Sequence, residues 1–115
     1  MKYAATIDMD AVKKEALAEL DLRFSIRRTT LLGPNADIHR VKYLEARDGR
    51  EMPILKSEAR LKGVSVDELA SEVWEKGQEM TYRLGQLEAE RQSLQTSIRA
   101  AKCPADISKI MKGVL

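Results

Sequence analysis

Four groups of residues in this chain have side chains that could do chemistry. His39 is the only histidine and Cys103 the only cysteine. A histidine metal site needs clustered ligands, and no second histidine or cysteine lies near His39 in sequence. A solvated histidine is the preferred reading. Cys103 precedes Pro104 and has no neighbouring histidine to activate it, so a small apolar filler is preferred to a nucleophile. The acidic series Glu68, Glu72, Glu75 and Glu79 lies along one broad helical face. Two-metal carboxylate bundles use that spacing together with a Glu-x-x-His element, which is missing. Glu72 with Lys76 and Glu79 with Arg83 are instead favourable i,i+4 pairs on a solvated face. Arg23, Arg27 and Arg28, followed by Arg40 and Lys42, form the densest basic cluster and a candidate anion-binding surface. Interleaved aromatics and a recognition-helix motif are lacking, so nucleic acid is disfavoured. Gly33 and Gly63 stand alone and form no phosphate loop. No constellation of acid, base, nucleophile and metal can be assembled, so the reading is not an enzyme, with no cofactor and no metal.

The bulk properties fit that reading. The chain has 115 residues, enough for one domain with a modest core. Aromatic residues make up 4% and hydrophobic ones 43%. A core must therefore use Leu, Ile, Val, Met and Ala, which favours helices over sheets. The net charge is +2, with the two signs interleaved, and suggests no dominant basic patch. A single cysteine excludes an internal disulfide and fits synthesis in a reducing cytoplasm. The N-terminus MKYAATIDMD lacks the apolar segment of a signal peptide, and no apolar run long enough to span a membrane exists.

The elements that hold these residues read as all-α. Residues 1–7 are expected as an arm and 8–32 as a first helix. Asp8 can cap it, and Met9, Val12, Ala16, Leu20 and Phe24 form its stripe, with Leu17 beside it. Gly33-Pro34 stops it. A second helix, 35–48, starts at Asn35 or Asp37, shows Ile38, Val41 and Leu44 as its buried side, and ends at Asp48-Gly49. Pro53 opens a third helix, 53–62, which Gly63 closes. Ser65-Val66-Asp67-Glu68 is a capping box, with Val64 and Leu69 placed as its hydrophobic staple.

The pattern then runs without proline to Pro104. Val73, Gly77, Met80, Leu84, Leu87, Arg91, Leu94, Ile98 and Ala101 alternate four and three apart, a heptad seam. A helix over 66–102 would be about 54 Å long. A compact domain of about 100 residues has a radius of gyration of only about 13 Å. The expected fold is thus an elongated helical hairpin or bundle: one long C-terminal amphipathic helix, two short connecting helices, and a last short helix at 105–112. Gly77 on the seam permits close backbone approach, and Gly85 off it could mark a bend. Trp74 is either a packed flank or an exposed anchor for a partner.

Arg91 is the one polar seam residue. In a parallel homodimer it would face itself unless Glu88 or Glu90 compensated. The long helix is therefore expected to lie antiparallel to the first, with Arg91 leaning out at the edge.

Three stretches carry a resemblance: KYLEA at Lys42–Ala46, PILKSEARLKGVSVDELASEV at Pro53–Val73 and LEAERQSLQTSIRAA at Leu87–Ala101. In this order they resemble small helical proteins encoded among the tail and tail-fibre genes of tailed bacteriophages, and segments attached to tail-fibre proteins. The resemblance covers roughly residues 10–102. Its motifs are an apolar-Pro start, a Gly-Val/Ala-Ser/Thr cap and an Ala-rich helix end. The chain departs from usual members in having less Ala and more Arg and Lys. The resemblance implies a non-enzymatic tail accessory or structural role, or assembly of the tail or fibre. It implies tail or tail-fibre proteins as partners, in a homo-oligomer or hetero-assembly, and a place in the virion tail after synthesis in the host cytoplasm. It brings no catalytic residues. A small nucleic-acid-binding regulator using Arg23, Arg27 and Arg28 is the reading from a different class.

Overall fold

The computed structural model describes residues 7–114. Most of the expected arm, and Leu115, lie outside the described residues. The fold is all-helical: α1 (Met9–Leu32), α2 (Ala36–Asp48), α3 (Pro53–Lys62), α4 (Val66–Ala100) and α5 (Pro104–Lys112), with no strand among the described residues. No helix among them is long and apolar enough to cross a membrane.

Local chemistry sets most helix ends. The Asp8 carboxylate accepts the N–H groups of Asp10 and Ala11 at 3.1 and 3.2 Å, satisfying first-turn donors of α1. The Ser65 hydroxyl accepts the Glu68 N–H at 3.1 Å and starts α4. Gly63 takes φ +69° at the end of α3, a conformation that costs a residue with a Cβ, and its N–H reaches the Ala59 carbonyl. Pro53 and Pro104 occupy first-turn positions, where a missing N–H is harmless.

The ends of α4 and α5 differ slightly from the sequence reading. α4 stops at Ala100, two residues early. The Ala101 N–H drops back to the Ile98 carbonyl, and the Asp106 carboxylate takes the Lys102 N–H. That frees Pro104 to begin α5.

One junction is unlike anything in the sequence reading. Met52, just before α3, has φ +49° without being glycine. The left-handed region costs such a residue roughly 1–2 kcal/mol. Its side chain is buried, which returns about 1.5–3 kcal/mol. Met52 has no side-chain cap to offer, and Glu45 supplies one from α2. The Glu45 carboxylate accepts the N–H groups of Ile54 at 3.2 Å and Leu55 at 3.0 Å.

The chain divides into two compact units. Among the described residues the first comprises 7–28 and 86–114. Within it, α1 and the end of α4 run antiparallel: Lys13 bonds the Arg99 carbonyl, Asp21 pairs with Arg91, and Arg27 pairs with Glu90. Its core is Ala16, Leu20, Phe24, Ile98, Ala101, Ile107 and Val114, with Met9, Val12, Leu17, Leu87 and Leu94 against it. The α1 stripe is as the spacing predicts. Arg27 lies 4.7 Å over the Phe24 ring and also bonds the Val114 carbonyl.

The second unit is residues 29–85. Its core is Met52, Leu55, Ala59 and Leu69, flanked by Ala46, Val66, Ala70 and Val73. The inward side of α2 is a correction. Ile38 and Val41, expected inside, are 40% and 43% exposed. Leu44 stays on the inward side, half-buried, and is joined there by Tyr43 and Ala46, because Tyr43 stacks on Trp74 and fixes the rotation of the helix.

Candidate partner groove

The second unit holds an open groove of about 940 Å³. One wall is α4, through Leu69, Val73, Gly77, Met80 and Leu84. The opposite wall is α2, through Ala36, Arg40, Tyr43 and Leu44, with Leu32 beside it. Glu58 and Lys62 of α3 also line it. The floor is aliphatic and the rim is charged.

Tyr43 and Trp74 position the two walls. Their rings stack at 5.1 Å between centroids, with 3° between planes. Such a pair is worth about 0.5–1.5 kcal/mol beyond its buried area. The Tyr43 hydroxyl accepts a bond from the Gln78 amide at 3.1 Å. Gly77 makes the approach possible, since a Cβ there would overlap the Tyr43 ring.

The rim is laced with ion pairs. Lys42 bonds Glu58 at 2.8 Å, and Lys62 reaches the same carboxylate at 3.7 Å. The hydrogen bond from Lys42, opposed by burial, holds the Glu58 carboxyl below its usual range. Oε2 of Glu58 is buried and takes no hydrogen bond, so the lysines act on Oε1 alone. Lys76 bonds Glu72 at 2.8 Å, which lowers the glutamate and raises the lysine. Arg83 bonds Glu79 at 2.7 Å. Arg40 has no ion-pair partner among the described residues.

The heptad seam falls into two environments. Val73, Gly77, Met80 and Leu84 are half-buried and line the groove. Leu87, Leu94 and Ile98 belong to the core of the first unit. Trp74 is stacked on Tyr43 and 37% exposed.

Arg91 departs from expectation. Its side chain is only 19% exposed, and it does not lean out. It forks onto Glu88 at 2.8 and 2.7 Å and reaches Asp21 of α1 at 2.9 Å. The bonds from Arg91, then from Gln92, lower the Glu88 carboxyl to about 2. A seam arginine is thus accommodated between two carboxylates.

The arginine cluster is engaged within the chain. Arg23 bonds Glu19 at 2.7 Å, and Arg27 is held by Glu90, Val114 and the Phe24 ring. Arg28 contributes to the field that lowers Glu88. His39 is exposed on the groove wall, and Cys103 is exposed rather than a filler. No group of three or more His, Cys, Asp or Glu that could hold a metal occurs among the described residues.

On the α2 wall sequence reasoning found Leu44 and missed Ala36 and Tyr43. Ala36, Arg40, Tyr43 and Leu44 have helical spacing, but Ile38, Val41 and Leu44 offered a more apolar alternative. Only the tertiary stack decides between them. No protein-family model, no curated protein and no solved structure matches the chain.

Proposed function

We propose that this chain is a non-enzymatic bacteriophage tail accessory or structural protein that works through helix-mediated contacts. The observation that carries the contact part is the open groove lined by the seam residues Met80 and Leu84, beyond the point where Tyr43 covers Gly77. The tail part rests on the resemblance of residues 42–46, 53–73 and 87–101. Tail or tail-fibre proteins are the partners in this reading, and the virion tail is its location. An elongated helical hairpin belongs to the same proposal, and small-angle X-ray scattering measures it.

The main alternative is a tail or fibre assembly chaperone that leaves before the particle is complete. Mass spectrometry of purified virions separates the two: abundant peptides of this chain support the structural role, and their absence supports the chaperone. Failure to co-purify with any tail protein removes both. The nucleic-acid-binding regulator is the second alternative. The pairing of Arg23 with Glu19 and of Arg27 with Glu90 speaks against it. Salt-sensitive retention of the chain on duplex DNA in a filter-binding assay would revive it.

A further inference from the structure

We draw no further inference here: the strongest candidate, the open groove between α2 and α4 at Met80 and Leu84, is lined by charges of both signs, Arg40 as well as Asp37 and Glu58, and nothing in the structure shows what covers it.

Discussion

Gly77 presents its bare Cα to the ring of Tyr43, so that a Cβ at this position would overlap Cδ1 and Cε1. Gly85, eight residues further along the same helix, has open space at the corresponding point. The pair makes an internal control. In a helix interior Gly→Ala gains about 1 kcal/mol from propensity alone. Gly85→Ala should realise that gain. Gly77→Ala should lose about 1–3 kcal/mol to overpacking against Tyr43 and come out destabilised or, at best, neutral. Urea unfolding followed by circular dichroism reads both. Equal stabilisation by the two substitutions would refute the close approach.

Glu45 caps a helix to which it does not belong. Its carboxylate holds the Ile54 and Leu55 amides at the start of α3, where Met52 offers no acceptor. Glu45→Ala should therefore cost about 1–2 kcal/mol, the scale of a lost N-cap. Amide hydrogen exchange at Ile54 and Leu55 should accelerate more than at the end of α3. Unchanged protection at those amides would show that the carboxylate is dispensable.

Glu88 sets a pH dependence. Its carboxyl is lowered from 4.5 to about 2 by the bonds from Arg91 and Gln92. A group lowered on folding contributes stability that is complete above pH 4.5 and is lost as pH falls toward 2. Thermal melts across that window should show a steeper loss for the native chain than for Glu88→Gln. The two chains should converge near pH 2. Parallel curves would mean that the Arg91 fork adds nothing.

Core and surface positions should separate sharply. Ile98 is fully buried in the first unit, so Ile98→Ala should cost about 2–5 kcal/mol. Leu61 is 89% exposed, and Leu61→Ala should change stability by less than about 0.5 kcal/mol. A large effect at Leu61 on the isolated chain would show that this leucine is covered in solution.

These positions also show where sequence reasoning reached and where it stopped. Asp8, Ser65, Pro53 and Gly63 were legible because capping depends on a few adjacent residues. The α4 seam was legible because helical geometry fixes which residues share a stripe. Half of the groove was thus readable, as Val73, Gly77, Met80 and Leu84. Of the other half only Leu44 was, because the rotation of α2 is decided by Tyr43 meeting Trp74 across 30 intervening positions in the chain. The cap from Glu45 and the left-handed turn at Met52 escaped for the same reason. Each depends on a neighbour that only the assembled fold supplies. In the arginine cluster, Glu19 could be read as an i,i+4 partner of Arg23, whereas the Arg27 contacts to Glu90 and Val114 could not.

The first unit is built from the two ends of the described chain, with the second unit inserted between them. That arrangement orders events on the ribosome. Leu20 and Phe24 are translated before residues 29–85, and Ile98, Ile107 and Val114, which pack with them, after. Residues 29–85 can collapse around Leu55 and Leu69 as soon as they emerge. The α1 stripe must wait until residues 86–114 are made, a long-range closure of the kind that slows folding. Until Val114 emerges, the nascent protein shows its surroundings the sticky stripe of α1.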